Sequence, residues 1–229
     1  MHFRRYAVYY TPEADSPVAR FGASWLGWDM AAGKAARHPE MPGLPLPVAS
    51  LTETPRRYGF HATIKPPFRL AEGTTAQGLA DALERLCVQM PPIPLAGLEL
   101  AALGRFLALV PEGDQTALNG LAAMVVDTLD AFRSAPTEAE LDKRRKAGLS
   151  RRQEAALLRW GYPYVMEDFR FHMTLTGKLP KAQVAPVMAA LRAALADCLP
   201  RPFVLDGLGL VGEAEDGRFH LLHRHRLTI

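Results

Sequence analysis

The chain has 229 residues, 48% hydrophobic and 22% charged, a balance that excludes disordered, fibrous and stapled mini-protein classes and allows a sizeable core. Twenty-seven Lys and Arg against twenty-four Asp and Glu leave a net charge of +3, too mild to imply a nucleic-acid partner and suited to a small anionic substrate. No apolar run is long enough to span a membrane, no signal-peptide pattern opens the chain, and the separated Cys87 and Cys198 read as free thiols, so a cytoplasmic protein without a membrane partner is expected.

Residues 6–10, aromatic and β-branched and stopped by Thr11-Pro12, predict a first strand. Ser16-Pro17 supplies an N-cap and a first-turn proline, and Val18, Phe21, Trp25, Leu26 and Met30 recur at helical spacing. Five prolines within residues 33–56 predict a long irregular loop of the kind that serves as a lid. A second strand is expected over 58–65, closed by Pro66-Pro67, and a helix capped by Thr74 with Gln77 runs to about residue 90. Strands at 95–100 and 106–110 follow, then a helix over about 114–132. Thr137 with Glu140, and Ser150 with Gln153, each start a short helix. Residues 134–160 therefore read as a helical insertion carrying Lys143-Arg144-Arg145-Lys146, for which a solvated helix face is expected rather than an RNA-contacting one. A strand at 169–176, a helix at 180–199 and strands at 203–211 and 218–227 complete the chain.

Strand, helix, strand, strand thus occurs twice. This predicts an α+β fold in one bilobal domain over residues 1–229: two pseudo-symmetric antiparallel-sheet lobes that exchange strands, with outer helices and a central cleft.

Each half contains one His-x-Thr motif in a predicted strand, His61-Ala62-Thr63 and His172-Met173-Thr174. With twelve Thr in the chain, two such hits among seven His arise by chance in roughly one sequence in twenty, and the matched place in the repeat lowers that further. Alternation puts His61, Thr63 and Lys65 on one face and Phe60, Ala62 and Ile64 on the other; likewise His172 and Thr174 oppose Phe171, Met173 and Leu175. Each strand is apolar behind and chemical in front. Tyr58 has the parity of Phe60 and is expected to pack, unless Gly59 carries a bulge. His223 and His225 share a strand face but lack a third ligand, so no metal site is expected there.

The paired motifs, with Arg56-Arg57-Tyr58-Gly59-Phe60 before the first and Trp160-Gly161-Tyr162-Pro163-Tyr164 before the second, resemble the two-histidine phosphoesterase superfamily, in a branch labelled as a phosphonate-metabolism protein. The resemblance implies a metal-independent hydrolase of a small cyclic phosphodiester, such as a sugar cyclic phosphate, with no cofactor. His61 and His172 would be the acid/base pair. Thr63 and Thr174 would hold the phosphoryl oxygens, which fits a reaction that needs one proton removed and one donated across phosphorus. Lys65, Arg170, Tyr9 and Tyr162 are candidate contacts to the rest of the ligand. The alternatives are an RNA 2′,3′-cyclic phosphodiesterase or ligase and a non-catalytic RNA-binding module.

Overall fold

The computed structural model describes residues 2–229. Its first half runs through β1 (Arg5–Tyr10), α1 (Pro17–Leu26), the short ribbon β2 (Trp28–Asp29) and β3 (Lys34–Ala35), α2 (Val48–Leu51) and α3 (Glu53–Arg56). It continues through β4 (Ala62–Phe68), α4 (Ala76–Cys87), β5 (Ile93–Leu95), β6 (Gly97–Leu103) and β7 (Phe106–Glu112). Helices α5 (Thr116–Thr128), α6 (Glu138–Arg145) and α7 (Arg151–Trp160) lead into the second half. That half comprises β8 (Met173–Thr174), α8 (Lys181–Leu195), β9 (Phe203–Leu205), β10 (Gly207–Glu213) and β11 (Phe219–Arg226).

Local chemistry sets most of these boundaries. The Ser16 side chain accepts from the Ala19 amide and Pro17 opens α1, while both expected capping boxes, Thr137 with Glu140 and Ser150 with Gln153, start α6 and α7. Helix α4 begins later than expected: Thr75 caps it through the Gly78 amide, and the Thr74 hydroxyl turns back to the Ala71 carbonyl. The proline-rich segment is also more ordered than its composition predicts. It contains β3, α2 and α3, buries Val48 and Leu51, and is tied down by Gly177 donating to the Leu51 carbonyl and Arg56 to that of Leu26.

Seven strands form one antiparallel sheet in the order β11-β10-β1-β4-β8-β7-β6. The repeat is visible in it. Strand β4, helix α4 and hairpin β6–β7 correspond to β8, α8 and hairpin β10–β11, and each hairpin joins the half of the sheet on the other unit's side of the β4–β8 junction. The halves meet where Ala62 pairs with Met173, and a second like-with-like pairing, β5 with β9, matches Ile93 to Leu205. An antiparallel pairing of equivalent residues is what a local twofold produces. Ala62, Ile64, Met173 and Leu175 are fully buried in the main core with residues from α4, α5 and α8, so the residues between them face the other way.

Candidate active site

The strands are shorter than their sequence suggests: β4 and β8 each begin one residue after their histidine. The register nevertheless carries the argument. With Ala62 opposite Met173, an antiparallel ladder sets His61 opposite Thr174 and Thr63 opposite His172, all four on the face away from the core. Trp25 donates its indole N–H to the Leu175 carbonyl, and the Leu107 amide donates to Thr176 Oγ1, which pins the chain that leaves β8.

Both imidazoles are oriented by the same device. His61 Nδ1 lies 2.9 Å from the Gly59 carbonyl and His172 Nδ1 lies 2.8 Å from the Arg170 carbonyl, in each case two residues upstream. A carbonyl only accepts, so Nδ1 carries the hydrogen and Nε2 is the working nitrogen in both rings. His61 Nε2 lies 3.2 Å from Thr63 Oγ1. Gly59 has φ +73°, and a Cβ there would meet the Met30 side chain at 2.8 Å, so a glycine is required to aim that carbonyl.

The environments differ. Tyr9 stacks on His61 with ring centroids 3.7 Å apart and 21° between planes, and Tyr58 sits at 6.2 Å. Burial under these rings, reinforced by the nearby His172 imidazole and opposed by the Gly59 hydrogen bond, pulls His61 down to about 4. Both rings are half-buried by exposure to solvent, and the neighbour of His172 is the Phe106 ring at 5.9 Å.

Three sequence expectations change. Lys65 does not share the His61 face: the register slips between Tyr9–Thr63 and Val8–Lys65, so Lys65 opposes the core residue Val8 and its ammonium is buried 2.9 Å from the Val126 carbonyl and 3.5 Å from Asp130. Arg170 precedes β8 outside the ladder, where alternation does not hold, and its exposed guanidinium folds back on the Glu167 and Phe169 carbonyls. Tyr9 is only 1% exposed and meets the imidazole rather than open space. Tyr58 packs as expected, stacked on Phe219 with ring centroids 5.2 Å apart, and it also lies beside His61 because Gly59 turns the chain between them.

Tyr58 and Tyr162 also wall a cavity of about 380 Å³. Arg5, Arg57, Lys65, Arg69 and Arg133 line it, and from the insertion come Lys143 and Arg144, so that part of the basic run faces a cavity rather than bulk solvent alone. Arg145 and Arg152 instead pair with Glu154 and Asp168. Sequence could not have assembled this set, because its members come from four separate stretches of chain. His223 and His225 have ring centroids 6.0 Å apart; among the described residues no group of three or more His, Cys, Asp or Glu is placed to hold a metal ion. No described helix is long and apolar enough to cross a membrane.

The family described as Protein of unknown function (DUF1045) matches residues 63–220. Two curated relatives, from Janthinobacterium sp. (strain Marseille) and Laribacter hongkongensis (strain HLHK9), are both named Ribose 1,5-bisphosphate phosphokinase PhnN. The first is 42% identical over 218 residues, 93% of this chain and 48% of the relative; the second is 34% identical over 213 residues, 93% and 49%. The chain spans about half the length of these relatives. Among solved structures, E. coli LigT complexed with 3′-AMP is similar at 16% identity and TM-score 0.45 over the whole of both chains. TT0787 of Thermus thermophilus is similar at 15% identity and TM-score 0.41 over 97% of each.

Proposed function

The chain belongs to the DUF1045 family, and we propose that it is a metal-independent phosphoesterase that opens a small cyclic phosphodiester, a sugar cyclic phosphate. The observation that carries this reading is the pairing of two His-x-Thr segments about Ala62 and Met173, with each imidazole fixed through Nδ1 so that Nε2 is the nitrogen left for proton transfer, that of His61 resting on the Thr63 hydroxyl. His61, neutral at pH 7 because burial holds it near 4, is the base: its Nε2 takes a proton from water as the water oxygen attacks phosphorus. The ring P–O bond breaks as His172, which must enter the reaction as the imidazolium with hydrogen on both nitrogens, gives its Nε2 proton to the departing alkoxide and is left neutral, yielding a phosphomonoester and a free hydroxyl. Thr63 and Thr174 donate to the non-bridging oxygens, where charge grows.

The substrate class draws on the relatives' name. A ribose cyclic phosphate that carries a second phosphate opens to a ribose bisphosphate, the class of compound in that name. Substrate competition tests the reading. Small cyclic sugar phosphates should be opened with a kcat/KM above that for an oligonucleotide ending in a 2′,3′-cyclic phosphate. Preference for the oligonucleotide would replace the proposal with the RNA phosphodiesterase.

A further inference from the structure

The cavity beyond Tyr58 has a composition that the two-histidine chemistry does not use. Arg5, Lys65, Arg69, Arg133, Lys143 and Arg144 line it together with Arg57, seven cations in a space of about 380 Å³. Three carboxylates pair with them: Glu213 with Arg5, Glu140 with Arg69, and Asp130 with both Lys65 and Arg133. The local excess of four positive charges exceeds the +3 of the whole chain, so the rest of the surface is nearly balanced.

Lys143 and Arg144 have no carboxylate partner among the described residues, and the Arg144 guanidinium lies 4.7 Å from the centre of the Tyr162 ring, which holds it at the cavity wall. Ser134, another lining residue, has its hydroxyl oxygen buried with no hydrogen-bond partner among the described residues. A buried hydroxyl is ordinarily satisfied, and an anion in this cavity would satisfy it. Lys65 is a cation held 1% exposed at the floor. Dry cations are costly unless an opposite charge joins them, and only one carboxylate does so here, at 3.5 Å.

We infer that this cavity is a second anion site, which takes a terminal phosphate of the substrate while the histidines act on the cyclic ester. Its position rests on the phosphoesterase reading; its chemistry does not. The near wall, Tyr58, is 6.2 Å from the His61 ring. The far wall, Arg5, lies four residues along β1 from Tyr9 on the same face, about 13 Å at strand rise. That backbone reach, shortened by the side chains at both ends, suits one pentose with phosphates at its two ends, and a volume of about 380 Å³ suits a small ligand rather than a nucleic-acid strand. Guanidiniums preset on carboxylates can share their remaining N–H groups with phosphate oxygens, the geometry that makes Arg a phosphate binder.

Calorimetric titration with ribose 5-phosphate reads this site without turnover. The wild-type protein and the His61→Ala/His172→Ala double variant should bind it with affinities within about threefold of each other. Lys143→Glu/Arg144→Glu, two exposed positions whose change leaves the core intact, should weaken binding by about tenfold or more. Lys181→Glu/Arg192→Glu, at two exposed positions of α8, makes the same change in net charge and should leave the affinity within about twofold. Equal binding by the wild type and the Lys143/Arg144 variant would overturn the inference, as would equal weakening by the Lys181/Arg192 variant. If ribose 5-phosphate binds as expected but no cyclic ester is opened, the anion site stands and the phosphoesterase reading fails.

Discussion

An imidazole whose Nδ1 is tied to a main-chain carbonyl acts only through Nε2, and both histidines are tied in this way. Loss of either ring should therefore lower kcat by on the order of 10²–10⁴-fold, and Thr63→Ala or Thr174→Ala by less, in steady-state assays on a cyclic phosphate. His61 must be unprotonated to act as base, so kcat/KM should rise as pH increases through about 4. Tyr9→Ala, which wets the ring, should move that limb upward toward 6.5, and a limb that stays in place would contradict burial as its cause. The folded value lies below the unfolded 6.5, so only the unfolded chain takes up this proton between those values. Thermal stability should accordingly fall as pH drops from about 6.5 to about 4. At this scale the His-x-Thr pairs were legible because residue types two apart need no fold to be recognised. The approach of Tyr58 to His61 was not, because it depends on the left-handed turn at Gly59.

A single register slip in β4 accounts for the largest departure from the sequence reading. Alternation alone puts Lys65 beside His61, but the extra residue in β4 beside Val8 turns the side chain toward α5. Burial then lowers the ammonium from 10.5 to about 8, with Asp130 opposing the shift, so keeping it charged at pH 7 costs about 3 kcal/mol. Lys65→Met should raise folding stability by roughly 1–3 kcal/mol in denaturant titration while weakening ligands with a second phosphate. A destabilised variant would show that the Val126 and Asp130 contacts outweigh the burial cost. The capping boxes of α6 and α7 were readable because a cap is a local interaction over four residues. The shortness of β8 was not, since strand length is decided by the neighbour, and only Ala108, Leu109 and Ala62 pair with it.

Across the molecule, the duplication seen as strand, helix, strand, strand becomes one seven-stranded sheet whose centre is the Ala62–Met173 pair. The twofold was legible because each half repeats the order of its elements. The cationic cavity breaks that symmetry: β1, the turn after α5, and helix α6 supply most of its charge, and none has a counterpart in the second half. Long-range assembly of isolated arginines leaves no local pattern, which is why the basic run reads in sequence as a solvated face. Because the ligand is one small molecule with two phosphates, log kcat/KM should fall less steeply with log salt than for a protein neutralising a run of backbone phosphates, and a slope as steep as that would favour the RNA alternative. The most direct measurement of the central claim is turnover of a small cyclic phosphate, with and without EDTA, by the wild type, His61→Ala, His172→Ala and the double variant. The wild-type rate should be indifferent to EDTA, each single variant down by on the order of 10²–10⁴-fold, and the double variant within about tenfold of the singles, because half of an acid/base pair contributes little. Single variants that keep most of the wild-type rate, or activity removed by EDTA and restored by a divalent ion, would contradict that claim.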